Sequence, residues 1–101
     1  GGKVITLDNN VLRVTGTMRL PEAVKLRDAG LALVPAAQAI DLSGVVDVDS
    51  SAIAVLLAWE RAAGRPDGPL PVTGAPDGLL SLAHLYEVSD YCGLDAGLSA
   101  R

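Results

Sequence analysis

Few side chains of this sequence could carry out chemistry. Ser50 and Ser51 are the candidate nucleophiles, and a Ser–His–Asp triad would have to use His84, the only histidine. No Gly-x-Ser-x-Gly motif, which presents the nucleophile in many hydrolases, surrounds either serine. We therefore expect a non-enzymatic protein, with His84 as a surface or packing residue. A small hydrolase using Ser50 or Ser51 is the alternative from another functional class.

Metal and cofactor sites have equally little support. With one histidine and one cysteine, Cys92, a histidine-rich zinc site is impossible, and a His–Cys site would depend on Cys92 alone. The chain has no glycine-rich phosphate-binding loop ending in Gly-Lys-Ser/Thr. We expect no metal and no cofactor, and we interpret Cys92 as a small buried side chain.

Composition limits the partners and the compartment. Eight basic and twelve acidic residues give a net charge of −4, which disfavours nucleic acid, because binding phosphates requires cations. Trp59, Tyr86 and Tyr91 are the only aromatic residues, too few for an RNA-stacking surface. A lone cysteine gives no internal disulfide, and no apolar run approaches the ~18 residues of a membrane span. We expect a cytoplasmic protein without a signal peptide.

The elements that would position these side chains follow from alternating apolar runs and breakers. Half of the 101 residues are hydrophobic, which predicts one domain over residues 1–101, with Gly1 and Gly2 set apart as a cloning remnant. The pattern predicts strands at residues 4–7, 11–14, 39–43 and 70–73. It predicts helices that begin at Pro21, Ala52 and Pro76. The order β-β-α-β-α-β-α indicates an α/β domain, a mixed sheet of about four strands with helices packed against it.

Local signals set the ends of these elements. Asn9-Asn10 predicts a hairpin turn, since asparagine tolerates positive φ. Pro35 ends the first helix, and the second covers residues 52–63. The third helix places four side chains on one face: Leu79, Leu82, Ala83 and Tyr86. From Ser89 onward we expect irregular structure.

The polar segment at residues 47–51 is the most informative. It follows a buried strand and opens a helix, so Ser50 is predicted to lie at a helix N-terminus, where free N–H groups and the helix dipole favour an anion. A phosphate on Ser50 would be tolerated there. The alternative is plain capping, in which Asp49 or Ser50 accepts hydrogen bonds from helix N–H groups and has no further role.

The second helix carries more apolar residues than one buried stripe requires. Ile53, Leu56 and Leu57 are predicted to face the sheet, whereas Val55 and Trp59 lie toward one flank. That surplus indicates a surface that meets another protein. The alternative is that neighbouring helices cover Val55 and Trp59.

These motifs resemble a known family. Asp41-Leu42-Ser43-Gly44, four loop residues and then Asp49-Ser50-Ser51 at a helix start resemble the STAS domain, found in sulfate transporters and anti-sigma-factor antagonists. The resemblance implies that Ser50 is the regulatory phosphoacceptor. Ala52 stands where the family usually has glycine.

The end of the chain is similar to one branch of this family. Leu82-Ala83-His84-Leu85-Tyr86 resembles the ending of MlaB-type STAS subunits of phospholipid ABC transporters. This resemblance implies a non-enzymatic subunit that binds and stabilises the ATPase and reaches the inner membrane only through the transporter. The predicted partner-binding residues are Asp49, Ser50, Ser51, Val55 and Trp59. The alternative is an anti-sigma-factor antagonist that a partner kinase switches by phosphorylating Ser50.

Overall fold

The computed structural model describes residues 4–94 and contains the predicted elements in the predicted order. The strands are β1 (Ile5–Asp8), β2 (Val11–Met18), β3 (Ala39–Val48) and β4 (Val72–Thr73). The helices are α1 (Leu20–Leu33), α2 (Ser51–Ala63) and α3 (Asp77–Leu85), and one 3-10 turn (Val34–Ala36) follows α1. The predicted α/β architecture, a mixed four-stranded sheet with packed helices, is confirmed.

The sheet has the order β1-β2-β3-β4. β1 and β2 form an antiparallel hairpin, and Asn9 and Asn10 turn it with φ values of 51° and 65°, as their tolerance of positive φ predicts. β2, β3 and β4 run parallel, with α1 and α2 as the two crossovers. β3 is therefore an interior strand, as expected for residues 39–43.

Among residues 4–94, helices cover one face of the sheet. Paired neighbours on the covered face, such as Leu12 and Ile40, are fully buried. The opposite face carries a polar row in which Thr6, Arg13, Asp41 and Thr73 are successive partners across all four strands. Arg13 and Asp41 form an ion pair of 3.0 Å within this row. Since polar side chains can remain solvated, this face needs no second helical layer.

Three strand lengths differ from the prediction, and the first is that of β2, which runs to Met18 where residues 11–14 were expected. β3 continues through the segment expected to be a loop, because its second half pairs with the end of β2, including Met18 with Val48. β4 is shorter than residues 70–73. The Leu70 N–H is bonded to the Glu60 carboxylate, and Pro71 has no N–H to donate to a ladder.

The end of α3 also differs from the prediction. Leu79 and Ala83 are buried on the core face, but Tyr86 lies beyond the last helical residue and is 50% exposed. Cys92 is buried, as predicted. The irregular tail begins with turns at residues 89–93, and residues 95–101 lie outside the described residues.

Candidate partner-binding surface

Asp49 joins the N-termini of two helices. It follows β3, and its Oδ1 accepts the Ser51 N–H of α2 at 2.8 Å. Its Oδ2 accepts the Leu20 N–H at the start of α1 at 2.9 Å. These two bonds, the one from Leu20 being the larger cause, lower the pKa of Asp49 below its usual value. One carboxylate thus satisfies free N–H groups of both helices and holds their first turns together.

We expect Asp49→Asn to lower the urea midpoint at pH 7 more than Asp47→Asn does. At position 49, asparagine keeps one acceptor oxygen but turns an amide donor toward a helix N–H. Asp47→Asn is the control, because Asp47 makes only an exposed ion pair with Arg19, and such pairs contribute little to stability. Because the pKa of Asp49 is lowered on folding, its stabilisation is present above the unfolded-state pKa of about 3.9 and is lost as the pH falls further. The difference between wild type and Asp49→Asn should therefore shrink at pH 3. Equal midpoints for the two variants at pH 7 would contradict the double-cap role.

Ser50 lies immediately before α2, as predicted, and its side chain is available to solvent. Its backbone is already helical, with φ −62° and ψ −18°, and its hydroxyl makes no capping bond. The residue is exposed, whereas Ser51 is half-buried. Of the two predicted capping residues, Asp49 performs the capping, so the Ser50 hydroxyl has no structural bond to lose.

Trp59 and Val55 are corrected from surface residues to core residues. Both are buried, Trp59 completely, because α1 packs on the flank of α2 that carries them. The indole Nε1 donates a hydrogen bond of 3.0 Å to the Arg27 carbonyl of α1. Gly30 of α1 lies against the ring, and a Cβ at this position would overlap the indole. The Trp59 side chain is therefore not exposed to a partner, and Val55, also buried, only lines a groove between α1 and α2.

The exposed apolar side chains beside Ser50 belong to α1 instead. Leu20 is 68% exposed and Val24 is 57% exposed. They border a shallow groove of about 260 Å³ between α1 and α2, the α1–α2 groove, whose lining residues are Leu20, Ala23, Val24, Arg27, Ser51, Ala54, Val55 and Ala58. We call Leu20, Val24, Ser50 and Ser51 the Ser50 surface. It combines exposed aliphatic groups with an uncommitted hydroxyl.

Sequence reasoning missed this contribution of α1, although a signal was present. The buried side of α1 is formed by Ala23, Leu26 and Gly30. A second apolar stripe with helical spacing, Leu20, Val24 and Leu31, lies on the solvent side. Val24 lies next to Ala23 in the chain but belongs to this exposed stripe and not to the core.

The remaining candidates for chemistry lie elsewhere. His84 is exposed in the last turn of α3, as predicted for a surface residue. The hydrogen bonds of residues 4–94 include none between His84 and either serine. No helix within that part of the chain is long and apolar enough to cross a membrane.

A mixed four-stranded sheet with three helices packed on it and a serine at the start of α2 defines a STAS-like α/β domain. A family model described as "MlaB, STAS domain" matches residues 2–95, so the chain belongs to this STAS family. Members of the family generally have regulatory or binding roles and are non-catalytic. A search of curated proteins finds no match.

Proposed function

We propose that this domain is a non-enzymatic subunit that binds and stabilises the ATPase of an inner-membrane ABC transporter for phospholipids. The observation that carries the proposal is the Ser50 surface, where Leu20 and Val24 expose large aliphatic groups beside a free hydroxyl. Exposed aliphatic groups next to polar ones are typical of protein interfaces. The MlaB-type family match supports this class of partner.

The construction of the Ser50 surface suits binding. Asp49 fixes the first turns of α1 and α2 to each other, so the two helices present a preformed groove and little order has to be gained on binding. Ala54 and Ala58 line the α2 side of this groove, and their small side chains leave room for an apolar side chain of the ATPase. In this proposal the domain is cytoplasmic and reaches the membrane through the transporter alone.

An anti-sigma-factor antagonist is the second candidate function. The exposed Ser50 hydroxyl, free of any capping bond, favours it, since a kinase needs access to the oxygen that it phosphorylates. Both candidates use the same surface and differ in the partner and in covalent chemistry. Purifying the tagged domain from its native cells distinguishes them. Recovery of a transporter ATPase supports the first, and recovery of a serine kinase with a sigma-factor partner supports the second.

We expect Val24→Asp to weaken binding of the purified ATPase by at least about tenfold, because it places a charge where an apolar contact is buried. The matched control is Leu85→Asp, which changes a side chain that is 72% exposed at the far end of α3. Since both positions are exposed, both variants should remain folded by circular dichroism. Calorimetric titration measures the affinities. If Val24→Asp binds the ATPase as tightly as wild type does, the α1–α2 groove is not part of the interface.

A further inference from the structure

Glu60 is a half-buried acid at the opposite end of α2 from Ser50. Its Oε1 accepts the Leu70 N–H at 2.6 Å. Its Oε2 is buried and has no hydrogen-bond partner among the described residues. A carboxylate with one such oxygen is poorly stabilised when charged, because the negative charge is removed from water without a compensating donor.

Two further segments meet at this carboxyl group. Leu70, fully buried, lies two residues before β4, in the loop that follows α2. Gly93, with φ +75°, lies so close that a Cβ there would be 2.7 Å from Oε2 and would overlap the Leu70 carbonyl. The Gly93 carbonyl in turn accepts the Val72 N–H at 3.1 Å. The Glu60 carboxyl is therefore bonded to the segment before β4 and lies beside the turn at Gly93, which is itself bonded to β4.

The neighbouring charged groups do not offset the cost of burying the charge of ionised Glu60. Burial is the main cause that raises the pKa of Glu60 to about 7, and the Leu70 N–H and the Arg65 guanidinium lower it only in part. Glu60 and Arg65 border an open cleft of about 540 Å³. Arg61, Asp90 and Tyr91 line this cleft as well. Cys92 lies on the buried side, where burial and Glu60 raise its thiol pKa to about 11, so it stays protonated and supplies no charge.

We propose that Glu60 is a proton-dependent latch, which in its neutral form holds the Leu70 segment and the Gly93 turn against α2 and loosens them when it ionises. The proton leaves to solvent through the cleft that Glu60 borders, and opening of the latch lets water reach the buried Oε2. Opening would expose the β4 edge of the sheet and leave the Ser50 surface in place. The proposed latch therefore does not depend on whether the ATPase is the partner that binds the Ser50 surface.

Amide hydrogen exchange at pH 5.5 and pH 8.5 tests the latch, with rates normalised for intrinsic exchange. In wild type we expect protection of the Leu70 and Val72 amides to fall roughly tenfold relative to amides of β2. In Glu60→Gln, which mimics the neutral acid, this ratio should not change with pH. The same fall in both proteins, or no fall in wild type, would overturn the proposal.

A titration of wild type keeps the proposal testable if Glu60→Gln fails to fold. The carbon-13 resonance of the Glu60 carboxyl should titrate near pH 7, and the Leu70 amide resonance should move with the same midpoint. A Glu60 midpoint near the ordinary 4.3, or a Leu70 amide that does not follow Glu60, would refute the latch.

Discussion

Trp59→Ala is expected to lower the free energy of unfolding by about 3–5 kcal/mol, a large part of the roughly 5–15 kcal/mol that stabilises a native domain. The ring is fully buried, so truncation removes buried apolar area and leaves a cavity between α1 and α2. It also leaves the Arg27 carbonyl without the indole donor. The sequence placed Trp59 among the partner-binding residues, with coverage by a neighbouring helix as the alternative, and the structure has that alternative arrangement.

Urea unfolding followed by circular dichroism measures this loss. Trp59→Phe should be intermediate, because it keeps most of the ring volume and loses the hydrogen bond. Gly30→Ala should also destabilise the domain, although alanine favours helices, since its Cβ would overlap the indole. At a temperature where Trp59→Ala is mostly folded, its affinity for the partner should be close to that of wild type. Stability within about 1 kcal/mol of wild type would show that Trp59 is not a core residue.

Ser50→Glu is expected to keep the fold and to weaken partner binding by at least about tenfold, or ~1.4 kcal/mol. The N-terminus of α2 tolerates a negative charge, so stability should change little. A partner that covers Ser50, in contrast, would have to bury the new charge or supply a cation for it. Calorimetric titration against the purified partner measures the loss. Ser81→Glu, at an exposed position on α3, is the matched control for added charge.

Ser50→Ala separates the two candidate functions. Because the Ser50 hydroxyl makes no capping bond, we expect a stability change within about 0.5 kcal/mol, as at an ordinary surface position. For a transporter subunit, lipid transport should continue largely unchanged. For an anti-sigma-factor antagonist, the domain should be locked in its active, partner-binding form. If Ser50→Glu binds the partner as tightly as wild type, Ser50 lies outside the interface. The Ser50 surface would then be the wrong binding site for both candidate functions.

The sequence alone determined the elements whose signals are local. Asn9-Asn10 specified the hairpin turn because its residues tolerate positive φ. Pro21 and the run of helix formers at residues 52–63 specified two helices, and the cap-type residues before Ala52 placed Ser50 at a helix start. Such signals depend on neighbours in the chain, so they can be recognised without knowledge of the fold.

The tertiary structure alone decided which side chains are exposed and which polar groups are paired. α1 covers Trp59, and that contact requires the space left by Gly30, a residue distant in sequence. Asp49 caps α1 as well as α2 because β3 continues to Val48 beside β2 and ends near the start of α1. The apolar pattern of a helix shows how much surface it must bury, but the element that covers each flank is set by contacts between distant segments. The Ser50 surface therefore consists of the serines predicted from sequence together with aliphatic side chains of α1 that only the packing leaves exposed.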